Sequence, residues 1–419
     1  MENLQSDHLD TQNLYRDMQK RTGGEIYIGV VGPVRTGKST FIKRFMDVAV
    51  LPYMEDAAQK TRAQDELPQS AGGRTITTTE PKFIPQEAVE LKLAGEVTIR
   101  VRLVDCVGFM VEGAAGHLED GAERLVKTPW YDHEIPMRAA AEEGTRKVIR
   151  EHSTIGIVVT TDGSVTELAR EDYAAAEARI VAELQDIGKP FLILLNTADP
   201  AGEAAQSLAA QLREQYDAAC LPVNCLELTE QDILEILRSV LYEFPVTEAC
   251  FRMPEWMDVL PPGNETKQQL YALLREQMPS LHRLRDAQRA AQALTDSELL
   301  EAADVENVSV DTGAVCYVLT FPRALYYSII SEQAGVALRS DGELISFLTE
   351  MGRIQADYQH IRGALEDVRS KGYGVVMPSA ADLQLAEPEI VRKGGRYGVR
   401  LKASAKAIHM FQTLSLIHI

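Results

Sequence analysis

The run Gly32-Pro33-Val34-Arg35-Thr36-Gly37-Lys38-Ser39 matches G-x-x-x-x-G-K-[ST] in full. The spacing has a chemical reason. Its glycines let the backbone curl around a phosphate with N–H groups pointing inward, Lys38 can neutralise the β and γ phosphates, and the Ser39 hydroxyl can hold Mg²⁺, with Thr40 following at the helix start. The run lies between "EIYIGVVG", a β-branched stretch, and "STFIKRFMDV", a helical one. That is the strand–loop–helix context a phosphate loop needs. A second candidate is "RLVDCVG", where Asp105 ends a strand pattern and Gly108 follows three residues later. An acidic residue there can hold the Mg²⁺ shell, and the glycine can offer its N–H to a γ-phosphate. The third is the Thr-rich "GGRTITTTEP", residues 72–81, either a switch loop reaching Mg²⁺ and γ-phosphate or a β-branched strand edge.

Two positions depart from the pattern of a GTP-binding switch. Phe109 follows Asp-x-x-Gly, where a Gln would orient water, and an apolar side chain neither accepts a proton nor aims a water. Water must then be placed by a Thr, the backbone, a cation or another subunit. The run "LILLNTADP" ends in Asn196-Thr197-Ala198-Asp199, with Thr197 where a Lys would cover a guanine base. Asn196 and Asp199 read equally as base contacts and as turn formers at a strand end. Arg74 is either a phosphate contact or, by default, a solvated loop cation. Trp130-Tyr131 is a contact patch or a loop anchor, "VVTTDGS" by default caps a turn, and His117, His133 and His152 have no ligand spacing.

These residues need a scaffold, and the apolar patterning supplies one. Residues 9–22 form a weak amphipathic helix ended by Gly23-Gly24. "AVELKLAG" and "EVTIRVRLVD" alternate at period two and predict an antiparallel pair. "STIGIVVTTDG", "KPFLILLNTAD" and "CLPVNCLEL" predict buried strands, while "REDYAAAEARIVAELQDIG" and "EQDILEILRSVLYEF" predict helices. Alternation over residues 25–244 means an α/β domain with a mainly parallel sheet. Beyond it, 264–303 reads as helical with a break at Pro279, "VENVSVDTGAVCYVLTF" as extended, 342–370 as a long helix, and the Gly-rich segments to about 403 as strands. Boundaries are expected near 245 and 336, giving 1–244, 245–335 and 336–419. The apolar tail "FQTLSLIHI" carries no functional weight.

With 43 Lys and Arg against 62 Asp and Glu, the formal charge of −19 argues against broad nucleic-acid binding and against electrostatic docking on anionic lipid. The five Cys, at 106, 220, 225, 250 and 316, show no zinc or C-x-x-C spacing and are expected to be reduced thiols. The N-terminus is polar and no apolar run has the length of a membrane span, so membrane contact is expected through a partner or through a surface that the sequence does not display.

The strings "IYIGVVGPVRTGKSTFIKRFM", "RAQDELPQS", "TTTEPKFIP", "RLVDCVGF", "TPWY", "GTRKVIREHSTIGIVVTTDG", "LYEFPV" and "EPEIVRKGGRYGVRLKA" together closely resemble the stage IV sporulation protein A family. The resemblance spans nearly the whole chain. It implies a P-loop NTPase domain of the GTPase-like class that hydrolyses ATP, followed by two smaller α+β domains. It implies Lys38 as the phosphate-loop lysine, Asp105 as the acidic residue beside Mg²⁺, and Thr78 and Thr79 as sensor threonines, Thr79 and Ser39 sharing the metal with Asp105. It further implies self-polymerisation into the basement layer of the spore coat, in the mother cell on the outer forespore membrane. The partners implied are other coat proteins and a small amphipathic membrane peptide, stage V sporulation protein M. Members continue well past "VRLKA", so the C-terminal domain is expected to be cut short here. The competing readings are a GTP-binding signalling switch and a nucleotide-binding scaffold without turnover; a small-molecule kinase lacks a visible acceptor site.

Overall fold

The computed structural model describes residues 16–54, 56–68, 81–93, 97–111, 118–119 and 122–413. They fold as two compact units that divide between Thr320 and Phe321. In the first unit, β1 (Glu25–Val31), β2 (Lys82–Leu93), β3 (Val97–Asp105), β4 (Ile155–Thr161), β5 (Phe191–Asn196) and β6 (Cys220–Val223) form one sheet in the order β6-β5-β4-β1-β3-β2. The edge strand β2 runs antiparallel to β3, and the other pairings are parallel. Every residue of β4 and β5 is buried, because helices cover both faces. Ile26, Ile28 and Val30 point to one layer with Phe41, Ile42, Ile233 and Leu237, whereas Val31, Val104 and Val158 point to the other with Met137, Ile180 and Leu212.

The first layer is built by α1 (Lys38–Phe45) and, further along the chain, the helix Glu230–Tyr242. The second is built by α2 (Met137–Lys147), α3 (Arg170–Asp186) and α4 (Glu203–Tyr216). Helix α5, Glu230–Tyr242, starts where Thr229 and Asp232 cap each other reciprocally, and it buries Ile233, Ile236, Leu237, Val240 and Leu241 at helical spacing. Burying each of these side chains stabilises by about 1.5–3 kcal/mol at most. Glu177 of α3 is a charge inside the second layer. It takes hydrogen bonds from Arg170 at 2.7 Å, Tyr216 at 2.9 Å and the Thr160 hydroxyl, so its lone pairs are matched.

Past α5 the same unit adds β7 (Glu248–Arg252), β8 (Ala302–Ser309) and β9 (Ala314–Thr320), in the order β7-β9-β8. After a short helix at Glu255–Val259, α6 (Glu265–Gln277) and α7 (Ala287–Thr295) precede β8, with the expected break at Met278–Ser280 between them. The parallel pairing of β7 with β9 puts Cys250 opposite Cys316, 4.6 Å apart at Cα, and the two form a disulfide. The expectation of unpaired thiols is therefore corrected for this pair. A separation of 66 residues gives no spacing signal until strand pairing closes it. Cys106, Cys220 and Cys225 remain buried free thiols. A polar clasp joins this region to the main sheet's helices. Glu243, just past α5, is buried and pairs with Arg283 at 3.0 Å and Arg285 at 2.9 Å, while Asp217 at the end of α4 pairs with Arg285.

The second unit holds α8 (Arg323–Ala334) and α9 (Asp341–Lys371). Ser340 caps α9 at its start and Gly372, with φ of 80°, ends it. Tyr373–Val376 pairs antiparallel with Ile408–Phe411. The strand-like pattern thus runs to Phe411 rather than 403, four residues being too few to announce themselves by alternation. Among the described residues no helix is long and apolar enough to cross a membrane.

Candidate functional site

Strand β1 lies between β3 and β4, so the loop after Val31 emerges at the strand ends that also carry Asp105, Thr161 and Asn196. Gly32 must be glycine there: φ is 151°, and a Cβ would lie 2.2 Å from the Val159 carbonyl oxygen. Gly37, at φ 98°, leaves room for Asn196, whose Nδ2 would be 2.3 Å from a Cβ. Arg35 also has positive φ, 63°, without being glycine. Inside the loop Thr36 Oγ1 donates to the Pro33 carbonyl at 3.0 Å, and Lys38 Nζ donates to the same oxygen at 2.6 Å. Thr40 continues α1 in the first turn.

Lys38, Ser39 and Asp105 come together. Ser39 Oγ donates to Asp105 Oδ2 at 3.0 Å. Burial pushes the Lys38 ammonium below its ordinary pKa, opposed by Cys106 and Asp105. Burial likewise raises the Asp105 carboxyl, opposed by Lys38 and the Ser39 hydrogen bond. Asp105 Oδ1 is buried with no hydrogen-bond partner. An orphaned carboxylate oxygen beside a serine hydroxyl is a hard-oxygen donor set suited to a divalent cation.

The Asp-x-x-Gly loop lies directly on the phosphate loop. Phe109 bridges to Pro33, its carbonyl accepts Val34 N–H at 3.0 Å, and a Cβ on Gly108 (φ 93°) would sit 2.1 Å from Gly32 O and 2.6 Å from Lys38 Nζ. The Phe109 ring is buried, with the Arg179 guanidinium 4.8 Å from its centroid and Arg179 tied to Glu142 at 2.6 Å.

Asn196 belongs to the loop's support. It donates Nδ2 to the Thr36 carbonyl at 3.0 Å and accepts Cys225 N–H on Oδ1 at 3.1 Å. Thr197 is buried and donates to Asp162 Oδ2 at 2.6 Å, so it holds the "TDGS" turn that follows β4. Asp199 is exposed beside Gly202. Sequence reasoning missed this Asp162–Ser164–Thr197 network; polar residues ending two adjacent apolar runs were the available signal. Tyr131 stacks edge-on with His133, and Lys147 lies 5.8 Å from the Trp130 ring, consistent with a loop anchor. Thr78, Thr79, Arg74 and His117 lie outside the described residues. Asn196→Ala should cost about 1–3 kcal/mol, because it leaves Thr36 O and Cys225 N–H buried and unpaired. Urea unfolding checks this, and an unchanged midpoint would refute the support role.

The site's residues fall inside a match to a family model. Residues 9–245 match the model for the stage IV sporulation protein A ATPase domain, and residues 246–415 match its middle domain. The chain belongs to the stage IV sporulation protein A family. It is similar to the stage IV sporulation protein A of Clostridioides difficile (strain 630), 44% identical over 400 residues. It is also similar to that of Bacillus subtilis (strain 168), 42% identical over 404 residues. In each case 96% of this chain and 82% of the relative are covered. The match to the family's ATPase domain implies nucleotide binding by residues 9–245 of a sporulation protein.

Proposed function

We propose that this chain hydrolyses ATP, and that hydrolysis drives its self-assembly into the basement layer of the bacterial spore coat, in the mother cell on the outer forespore membrane. The observation that carries the hydrolase reading is the cluster of buried Lys38 with Ser39 and Asp105, in which the buried Asp105 Oδ1 is left unpartnered. The Ser39 and Asp105 oxygens fit Mg²⁺, which they would hold together with Thr79. When bound, the metal neutralises charge on the β- and γ-phosphate oxygens. Lys38 gives up its bond to Pro33 for phosphate, the loop N–H groups from Arg35 to Thr40 line the phosphates, and Gly108 offers its N–H to the γ-phosphate. Attack by water is in line. Thr78 and Thr79 take over the orienting task that buried Phe109 lacks the chemistry to perform.

The GTPase-like class of the domain is part of the same reading, supported by the antiparallel edge strand β2, which pairs with the strand β3 that ends in Asp105. So are the three-part organisation 1–244, 245–335 and 336–419, and the partners: other copies, other coat proteins and stage V sporulation protein M. ATP rather than GTP is supported by Thr197, which is turned toward Asp162 and has no length to cover a base. ATP should therefore displace a labelled nucleotide at lower concentration than GTP; the reverse order would favour a GTP switch.

Assembly is expected to follow hydrolysis. Wild-type chain with ATP should scatter light and sediment, whereas the Thr78→Ala/Thr79→Ala variant should bind ATP and stay dispersed. Full assembly of wild type on a non-hydrolysable analogue would overturn that order. Assembly without any nucleotide would favour the scaffold reading.

A further inference from the structure

Arg35 stands apart within the phosphate loop. Pro33, Val34 and Thr36 are buried on either side of it, while Arg35 is exposed. Its φ of 63° lies in the left-handed region, where glycine would sit with less strain. Strained non-glycine residues of this kind cluster where a side chain is needed at a fixed place. The backbone beneath it is held from three directions: Thr36 Oγ1 to Pro33 O, Asn196 Nδ2 to Thr36 O, and Val34 N–H to Phe109 O. A guanidinium carried on this loop therefore starts from an immobile base beside the phosphates.

The site's chemistry has a matching gap. Breaking the bond between the γ-phosphorus and the β–γ bridging oxygen sends an electron pair onto that oxygen, while water oxygen bonds to the γ-phosphorus and its proton leaves on inorganic phosphate. Negative charge grows on the bridging oxygen as this happens. Lys38 is a single buried ammonium. The residue after Asp-x-x-Gly is Phe109, whose buried ring brings neither charge nor a donor. A guanidinium stays protonated and offers several donors in a fixed plane, which suits oxygens that gain charge together.

We propose that Arg35 is a catalytic arginine supplied by the phosphate loop itself, contacting the β–γ bridging and γ-phosphate oxygens as charge develops there. The proposal rests on the ATP hydrolase reading above. It makes the subunit's own loop the source of the transition-state cation, with no requirement for a neighbouring molecule to lend one.

The test compares Arg35→Ala, Arg35→Gly and Arg35→Lys with wild type. Steady-state turnover, ATP affinity by calorimetry, and Mg²⁺-dependent trapping of ADP with aluminium fluoride would be measured. The Ala and Gly variants should lose about 10²–10³-fold in kcat. Their ATP affinity should stay within a few-fold of wild type, and trapping should be lost. The Gly variant separates charge from strain, since it relaxes the backbone yet should be as slow as the Ala variant. Added guanidinium ion should restore part of the Gly variant's rate, and Lys should retain more rate than Ala. Wild-type turnover in the Ala and Gly variants would overturn the role of Arg35 while leaving the hydrolase reading intact. A loss confined to ATP affinity would reassign Arg35 to ground-state binding. A wild-type chain that binds ATP without turning it over would refute the hydrolase reading and the role of Arg35 with it.

Discussion

Lys38→Ala should abolish useful nucleotide binding. The ammonium is buried under the loop, and burial already lowers its pKa, so in the absence of phosphate it is a charge held at a cost. A bound triphosphate supplies the opposite charge in the same low-dielectric place. Removing one partner of such a buried charged contact typically costs about 2–5 kcal/mol, or at least ~30-fold in Kd. The alanine also strips the Pro33 carbonyl of its 2.6 Å donor. Lys38→Met keeps most of the stem's volume and isolates the charge from the packing. Both variants should fold, with melting temperatures close to wild type, and both should fail to bind ATP in calorimetry. Wild-type affinity in either would remove the phosphate-loop assignment.

Gly108→Ala should be strongly destabilising. At φ 93° an alanine is strained before any contact is counted, and its Cβ would lie 2.1 Å from a backbone oxygen of Gly32. Backbone on both sides of the clash leaves no flexible side chain to yield, so the Asp105–Phe109 loop must lift from the phosphate loop. Strain and overpacking together should cost about 2–4 kcal/mol. The Val34–Phe109 hydrogen bond and the Pro33–Phe109 bridge should go with it. Chemical denaturation measures the loss, and ATP turnover should fall below detection even where the variant folds. Stability within about 0.5 kcal/mol of wild type would mean that the two loops are not packed as described.

Much of this arrangement was legible in the sequence because long apolar runs and glycine punctuation coincide. "STIGIVVTTDG" and "KPFLILLNTAD" became β4 and β5, buried at every position, and "AVELKLAG" with "EVTIRVRLVD" became the antiparallel β2–β3 pair. Helices α2 and α4 were not read, and their cores explain why. They bury Ala140, Ala141 and Gly144 in one case and Ala205 and Ala209 in the other, so the periodic signal is carried by residues too small to stand out. Asn196 was placed correctly at a strand end, yet its main work is invisible locally. It joins Thr36 to Cys225 across 160 and 29 residues, a relation that only the sheet's strand order creates. The Cys250–Cys316 disulfide escaped for the same reason.

The two bonds of Asn196 have a mechanical consequence. The Thr36 carbonyl, Asn196 and Cys225 N–H lead into the short turn before α5, and α5 ends beside Glu243, which Arg283 and Arg285 grip from the region that carries the second sheet. Thirteen helical residues make a stiff rod of about 20 Å. When the phosphate loop tightens around a ligand or relaxes after losing one, the shift at Thr36 has two outlets: the amide side chain lets go, or the rod tilts. In the second case, a fraction of an ångström at the loop becomes a changed angle at the arginine grip. The moving part would be a well-capped helix, and the load it carries is the second sheet of the same unit.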